Sequence, residues 1–259
     1  MRIALGVEYD GAPYCGWQSQ TNGCGVQDFV ENAIAKIAEQ PIRIHAAGRT
    51  DTGVHAIMQV IHFDTEASRP ESAWVRGVNA FLPKTIRVVW AKLVDDIFHA
   101  RFSATQRSYQ YLLVNQATAP AINADKAGWY HLPLNVSAMQ QGIAYLRGEH
   151  DFSAFRASEC QANSPVRALN VASIMAYGEY IVFNFSANAF LQHQVRNMVG
   201  ALIYVGNGKY TPSFIKELLE QKNRTLSPPT FAPNGLYLVG VEYDQKFELP
   251  CTQRTLMLI

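Results

Sequence analysis

Apolar residues in the first hundred positions repeat with two periods, one typical of strands and one typical of helices. Helical spacing covers residues 26–39, where Pro41 ends the pattern, and it resumes after Pro70. Four other segments are apolar and rich in strand-forming residues: 2–9, 42–46, 59–64 and 86–93. The predicted order β-α-β-β-α-β is that of a split ferredoxin-like unit.

The second half predicts the same order of elements, although the two halves share no visible sequence repeat. Strands are predicted at 108–114, 168–176, 180–186 and 235–243, and helices at 137–147, 190–205 and 211–222. We therefore expect an α+β fold of two ferredoxin-like-derived halves, 1–104 and 105–259, with adjoining and mostly antiparallel sheets. An active site is expected in the cleft between them, because binding sites are commonly concave.

Composition adds little to this picture. The 259 residues carry a formal net charge of +1, with 48% hydrophobic and 17% charged residues. These values are typical of a folded globular protein, and they give no electrostatic sign of a nucleic-acid partner. No stretch approaches the roughly 20 apolar residues that span a bilayer, and the apolar run near Met1 is shorter than a signal-peptide core. A cytoplasmic location is the expectation.

The cysteines and one acidic cluster are the residues to weigh as metal ligands. The four cysteines, at positions 15, 24, 160 and 251, form no C-x-x-C pair. We therefore expect no structural zinc and four reduced thiols. Whether Cys15 and Cys24 approach each other stays open. The run at 149–151, Glu-His-Asp, is consecutive, and three consecutive residues on one short loop rarely bind one ion. We predict no metal.

One short segment stands out as a candidate for chemistry. The octapeptide 48–55, GRTDTGVH, lies between two predicted strands and places a glycine on either side of a polar turn. Such a turn can hold Asp51 and Arg49 out into a cleft. Composition alone favours an ordinary solvated turn.

The octapeptide resembles the active-site loop of the TruA family of tRNA pseudouridine synthases, which has the form G-R-T-D-x-G-V-H. Thr52 occupies a position where that family often has alanine. Further segments match the same family in the same order along nearly the whole chain: 9–11 (YDG), 16–18 (GWQ), 26–27 (VQ), 79–83 (NAFLP), 98–103 (FHARFS), 107–111 (RSYQY), 151–155 (DFSAF), 190–200 (FLQHQVRNMVG) and 235–238 (GLYL). Several motifs in register are much more specific than one.

The resemblance implies a reaction and a catalytic carboxylate. Pseudouridine formation breaks the C1′–N1 bond of a uridine, rotates the uracil and rejoins it through C5, so the base must leave its stack. Asp51 matches the family's catalytic nucleophile. Attack at C1′, addition to C6 and a glycal route all need one carboxylate in about the same place, and the order of steps stays open.

Four further residues take roles from the same resemblance. Arg196 matches the arginine that pairs with the catalytic carboxylate, and its apolar surroundings would make an unpaired charge costly. Tyr109 matches a tyrosine that stacks on the target base, and Leu236 an apolar residue that caps the pocket. Arg49 matches an arginine near the flipped nucleotide, where it can hold the opened RNA.

The family acts on uridines 38, 39 and 40 of the tRNA anticodon stem-loop, works as a homodimer, and uses no metal or organic cofactor. The resemblance implies the same for this chain, with tRNA as its partner. The preference among the three uridines and the arginines that touch RNA stay open.

Other functions fit less well. A base deaminase would need the H-x-E and P-C-x-x-C zinc signature, which the sequence lacks. A dinucleotide-binding or methyl-transfer fold would need a denser glycine turn after the first strand, and a glycosidase a second matched acid beside Asp51. A non-catalytic tRNA-binding module remains the alternative, although a carboxylate facing phosphates has no use in a binder.

Overall fold

A computed structural model describes residues 1–256 and divides the chain into two compact units. The first comprises Met1–Gln106 together with the C-terminal segment from Tyr237 onward, and the second comprises Arg107–Leu236. The first junction lies two residues from the predicted boundary at 104/105. The segment from Tyr237, which was predicted to lie in the second half, belongs to the first unit, and the last three residues of that predicted half lie outside the described residues.

The first unit has the predicted order of elements. They are β1 (Arg2–Tyr9), α1 (Val26–Ala38), β2 (His45–Ala46), β3 (His55–Asp64), α2 (Glu71–Phe81) and β4 (Ile86–Val94). β1 is antiparallel to both β3 and β4, and β2 is a two-residue antiparallel partner of β3.

The core of this unit follows from the amphipathic pattern of its two helices. In α1 the buried residues Val26, Val30, Ala33 and Ile34 recur every three to four positions, so they form one apolar stripe. In α2 Trp74 is fully buried, and its indole meets the ring of Phe63 from β3 at 5.3 Å between centroids. The helices therefore bury the sheet that carries the octapeptide.

The second unit contains more elements than were predicted. They are β5 (Ala104–Asn115), β6 (Gly128–Tyr130), α3 (Val136–Ala144), β7 (Gly148–Asp151), β8 (Val166–Tyr177), β9 (Tyr180–Ala187), α4 (Gln194–Gly206) and α5 (Phe214–Gln221). β5, β9, β8 and β7 pair antiparallel in that order, and β6 is a parallel partner of β5. Helix α3 contacts β8, α4 and α5.

The last strand, β10 (Leu236–Tyr243), was predicted to close the second half, but it pairs in parallel with β3 of the first unit. Tyr237 lies opposite His55 and Leu238 opposite Ala56. The α+β class with mostly antiparallel pairing is confirmed. A sequence pattern can identify β10 as a strand, but its partner depends on where the chain has travelled in between.

The start of α4 also differs from the prediction of a helix from residue 190. The chain turns at His193, which has a left-handed φ of 62°, and the helix begins at Gln194. The Gln194 side chain accepts a hydrogen bond from the Leu191 amide at 2.8 Å, which closes the turn before the helix. The pattern alone does not reveal such a turn, because apolar residues at 190, 191 and 195 fit a helical spacing that continues into α4.

Two of the four cysteines are bonded to each other, against the expectation of four reduced thiols. Cys15 and Cys24 form a disulfide, with their Cα atoms 5.4 Å apart. Cys160 is a buried free thiol and Cys251 an exposed one. Cys15 and Cys24 meet because residues 15–24 fold into a tight loop. The spacing of the two cysteines in the sequence does not reveal the shape of that loop.

Three histidines of the first unit form a cluster at the end of β3 distant from the octapeptide. The rings of His45 and His62 stack at 5.0 Å between centroids, and those of His62 and His99 meet edge to face at 4.6 Å. His62 is 1% exposed, and its Nδ1 accepts a hydrogen bond from the Ala100 amide at 3.1 Å. Burial, followed by the charges of His99, Arg2 and His45, lowers the pKa of His62 from 6.5 to about 3.

This depressed pKa makes stability depend on pH. Between about pH 6.5 and pH 3 the unfolded chain holds a proton on His62 that the folded chain excludes, so stability falls as pH falls through this range. Each pH unit costs about 1.4 kcal/mol, or about 2 kcal/mol between pH 6.5 and pH 5. We expect His62→Gln, which can still accept from Ala100, to reduce the pH dependence by that amount in urea unfolding. If the free energies of unfolding of wild type and His62→Gln fell equally as the pH was lowered, this prediction would be contradicted.

Candidate active site

The octapeptide forms a loop that starts after β2 and ends on the first residue of β3. Its first carbonyl, that of Gly48, accepts a hydrogen bond at 2.7 Å from the buried carboxamide of Gln59 in β3. Inside the loop the Val54 amide donates to the Asp51 carbonyl at 3.1 Å, and Gly53 has a φ of 78°. This tight turn places Asp51 at the tip of the loop, partly exposed, with Arg49 exposed nearby.

A second hydrogen-bonded layer comes from β1 and the segment after it. The Tyr9 hydroxyl lies 2.8 Å from the Thr50 hydroxyl, and the Trp17 amide donates to the Thr50 carbonyl at 3.0 Å. Thr50 is 7% exposed, so both groups hold it from the protein side. The residue before Asp51 is therefore fixed through its side chain and its backbone.

Two glycines of this segment let its backbone touch the loop. A Cβ on Gly11 would lie 2.0 Å from the Val54 carbonyl oxygen. Gly16 has a φ of 87°, and a Cβ there would lie 2.9 to 3.1 Å from backbone atoms of residues 50–52. These contacts explain why the YDG and GWQ motifs accompany the octapeptide: they form the surface on which the loop rests.

His55 fixes the other end of the loop, and sequence reasoning assigned it no role. Its side chain is 2% exposed, and its Nδ1 accepts a hydrogen bond from the Gly11 amide at 3.0 Å. The Asp10 carboxylate lies 3.1 Å from the same nitrogen, and the ring stacks on Tyr237 at 4.6 Å between centroids. Burial, with a smaller effect of the Asp10 charge, raises the pKa of Tyr237, which stays neutral. The available signal was a polar residue at the start of a strand in which neighbouring residues are apolar.

In the second unit Tyr109 and Tyr111 project from the same face of β5. Tyr109 is 8% exposed, and its ring meets the ring of Phe190 edge to face at 5.1 Å. Tyr111 is fully buried, and its hydroxyl donates to the Ala232 carbonyl at 2.9 Å. The Tyr111 hydroxyl is thus occupied by a structural contact.

Arg196, in the first turn of α4, is oriented by the segment that precedes β10. Its Nε donates to the Phe231 carbonyl at 2.9 Å, and the Phe231 amide donates to the Arg196 carbonyl at 3.3 Å. Leu236, the first residue of β10, follows this segment; it is 5% exposed, and its amide donates to the Pro233 carbonyl at 2.9 Å. Residues 231–236 therefore connect Arg196, Tyr111 and Leu236 within this unit.

A buried polar network supports that segment, and it was not predicted. The carboxamide of Asn197, fully buried beside Arg196, donates to the Phe155 carbonyl at 2.7 Å. Its oxygen accepts from Thr230 at 2.7 Å and from Arg224 at 3.1 Å. Burial lowers the pKa of Arg224. A buried asparagine in an apolar helix is a signal for such a network, because buried polar groups need partners.

The predicted site residues thus fall into two groups. Asp51 and Arg49 lie on one loop of the first unit, and Tyr109, Arg196 and Leu236 lie in the second. The pairing of Asp51 with Arg196 stays a prediction.

Neither a metal cluster nor a membrane helix is found where the structure describes the chain. Among residues 1–256, no group of three or more His, Cys, Asp or Glu side chains is arranged to hold a metal ion. Within the same range no helix has the length and apolarity to cross a membrane.

Comparison with known proteins gives consistent matches. A family model described as tRNA pseudouridine synthase matches residues 6–103 and 143–244. A protein of Methylobacillus flagellatus named tRNA pseudouridine synthase A is 62% identical over 258 residues, covering 100% of this chain and 99% of its own length. Proteins of the same name from Chromobacterium violaceum and Nitrosomonas eutropha are 55% and 53% identical, each over 96% of this chain and over 96% and 90% of their own lengths.

Among solved structures, a chain of the Cbf5-Nop10-Gar1 complex matches 91% of this chain and 48% of its own length, with 13% identity and a TM-score of 0.35. That likeness is too weak to support a statement about activity.

Proposed function

The chain belongs to the tRNA pseudouridine synthase family, and from this membership we propose that it converts uridines 38, 39 and 40 of the tRNA anticodon stem-loop to pseudouridine. The observation that supports this most is the 62% identity to a relative named tRNA pseudouridine synthase A along the whole chain. Three adjacent positions served by one enzyme imply that tRNA shape is read more than base identity.

Asp51 is the proposed nucleophile or charge-stabilising carboxylate of the reaction. Breaking the C1′–N1 bond leaves positive charge at C1′, which an ionised carboxylate can attack or stabilise. Such a group must be held still, because misplacement by about 1 Å can cost on the order of 100-fold in rate. The contacts of Thr50, Val54 and His55 hold the loop on both sides of Asp51.

Arg196 is proposed to pair with Asp51 and orient it. A guanidinium beside a carboxylate favours the ionised form and can form two parallel hydrogen bonds with it. The Phe231 carbonyl accepts from Nε, which fixes the plane of the guanidinium group. In this proposal the buried network around Asn197 acts on the reaction only through Arg196.

Tyr109 and Leu236 are proposed to form the pocket for the flipped uracil, and Arg49 to hold the opened RNA. An aromatic face suits this role because any base can stack on it without loss of a specific hydrogen bond. Phe190 meets the Tyr109 ring edge to face, which limits its rotation. The exposed guanidinium of Arg49 can contact phosphate or base edges.

We also propose that the enzyme is a homodimer, acts in the cytoplasm and needs no metal or organic cofactor. These proposals derive from the family resemblance. Closed twofold dimers are the commonest soluble assembly, and analytical ultracentrifugation with and without tRNA tests this one.

The test of the proposed substrate uses the full-length protein and tRNA labelled with [5-³H]uridine. Bond formation at C5 expels that hydrogen, so tritium release reports the reaction itself. Carbodiimide-blocked primer extension then locates the product. We expect stops one nucleotide 3′ of positions 38, 39 and 40, and no tritium release from tRNA with cytidine at those positions. Stops elsewhere in tRNA would keep the family activity and reject the proposed positions.

Tyr109 gives a prediction about base stacking. Tyr109→Ala should lower kcat/KM by about 5- to 150-fold, because stacking contributes about 1–3 kcal/mol per base, whereas Tyr109→Phe should keep tRNA affinity. Tyr111→Phe is the matched control, since it removes a hydroxyl that donates to Ala232 and costs stability of about 1 kcal/mol. Equal tRNA affinity in wild type and Tyr109→Ala would exclude a stacking role.

A further inference from the structure

Cys15 and Cys24 lie at the two ends of a surface loop whose tip is exposed. Both side chains are half-buried, whereas residues 20–23 between them are exposed. Their Cα separation of 5.4 Å is within the range that a disulfide requires. A small molecule can therefore reach this pair more readily than Cys160, which is 9% exposed.

Backbone hydrogen bonds hold the two cysteines together independently of any covalent bond. The Cys15 amide donates to the Cys24 carbonyl at 3.0 Å, and the Gln20 side chain donates to the Cys15 carbonyl at 3.0 Å. The Asp28 carboxylate accepts from the Gly25 amide at 3.0 Å, just after the loop. In the reduced chain the same hydrogen bonds would keep the two thiols side by side, which would raise the effective concentration of one for the other.

The loop is continuous with the backbone that supports Asp51. Gly16, the residue after Cys15, rests on the backbone of residues 50–52, and the Trp17 amide donates to the Thr50 carbonyl. The Gly16 carbonyl in turn accepts from the Val26 amide at 3.0 Å, two residues after Cys24. A bond between the cysteines therefore closes a ring directly behind the loop of Asp51.

We propose that Cys15 and Cys24 form a reversible dithiol–disulfide site that reacts with low-molecular-weight disulfides such as oxidised glutathione, and that its oxidation rigidifies the loop carrying Asp51. One thiolate attacks oxidised glutathione, forms a mixed disulfide and releases one glutathione thiolate. The other thiolate then attacks the protein sulfur of the mixed disulfide and releases the second glutathione. Two protein thiols lose two electrons and two protons, and one glutathione disulfide becomes two glutathiones.

The expected consequence is slower opening of the backbone around Asp51. The Trp17 and Val54 amides donate to the carbonyls of Thr50 and Asp51, so their hydrogen exchange reports this opening directly. We expect exchange at both amides to slow by roughly tenfold or more on oxidation. The catalytic meaning of this coupling rests on the proposed role of Asp51, whereas the thiol chemistry does not.

The experiment begins with the reduced full-length protein, treats it with excess oxidised glutathione under native conditions, and alkylates the remaining thiols after denaturation. Peptide mapping should recover Cys15 and Cys24 joined to each other and the buried Cys160 alkylated, while the exposed Cys251, which has no partner cysteine, is alkylated or carries a single glutathione. Dithiothreitol should return all four to the alkylated form. Cys251→Ser should behave like wild type, and Cys24→Ser should instead hold one glutathione on Cys15.

Two results would overturn the proposal. Alkylation of both Cys15 and Cys24 after oxidant, in a protein that remains folded, would exclude the redox site. Formation of the bond without slower exchange at Trp17 and Val54 would exclude its coupling to the loop. Because neither readout uses tRNA, a failure of the proposed function would leave both unchanged and would be seen only in the tRNA assays: tritium release for the activity and primer extension for the positions.

Discussion

Asp51→Asn is expected to abolish tritium release from [5-³H]uridine tRNA, lowering the rate roughly 10⁴-fold or more. The substitution keeps the size of the side chain and removes the negative charge, so the variant can neither attack C1′ nor stabilise charge there. The fold should survive, because the Asp51 backbone carbonyl, and not its carboxylate, accepts the Val54 amide that closes the turn. Binding of tRNA should also persist, and a filter-binding assay measures it separately.

A matched control removes another aspartate of the same unit. Asp64 ends β3, nine positions after the last residue of the octapeptide, and forms an ion pair with Arg2 at 2.8 Å while its side chain is 64% exposed. Asp64→Asn should therefore cost at most about 1 kcal/mol of stability and leave turnover unchanged. Tritium release by both variants at the wild-type rate would keep the enzyme and remove Asp51 from its chemistry.

Most of the first unit could be predicted from sequence because its longer elements have clear local patterns of apolar residues. The prediction of a strand at 2–9 agrees with β1 at Arg2–Tyr9, and that of a helix at 26–39 agrees with α1 at Val26–Ala38. β1 is a continuous apolar run whose residues 3–7 are all buried, and α1 has one apolar face, so in both cases the information is local.

Short strands and distant pairings could not be predicted in the same way. β6 and β7 have three and four residues, which is too short for a period of apolar residues to appear. They form strands because they pair with β5 and β8 respectively. The pairing of β10 with β3 joins residues far apart in sequence. Such contacts depend on the route of the whole chain.

The candidate site likewise has features that the sequence predicts and others that it does not. The resemblance predicts roles for Asp51 and Arg196, whereas the contacts around these two residues could not be predicted from the sequence. The Gly11 amide on His55 and the Phe231 carbonyl on Arg196 are backbone groups, which leave little trace in a sequence. The disulfide of Cys15 with Cys24 is a further example, since cysteine spacing alone predicts neither pairing nor its absence.

The packing of Gly11 against the octapeptide leads to the other large expected effect. In Gly11→Ala the new Cβ would stand 2.0 Å from the Val54 carbonyl oxygen, and backbone on both sides leaves no flexible group to move away. The Gly11 amide would also have to keep its bond to His55. We expect a loss of about 3 kcal/mol or more in the free energy of unfolding, measured by urea titration. Turnover of the folded fraction should fall with it, because the displaced segment carries the loop of Asp51.

Gly77→Ala separates this effect from a general cost of replacing glycine. A Cβ on Gly77, in the middle of α2, would approach the Cδ1 atom of Ile37 to 2.8 Å, but that atom is the flexible end of a side chain. The gain in helix propensity, about 1 kcal/mol, offsets the repacking, so stability should change by less than about 1 kcal/mol in either direction. If Gly11→Ala and Gly77→Ala lost similar amounts of stability, the steric cost of an added Cβ atom would by itself explain the effect of Gly11→Ala. A loss confined to Gly11→Ala, with turnover lowered in the folded protein, would mean that the contact with Val54 positions the loop on which Asp51 depends.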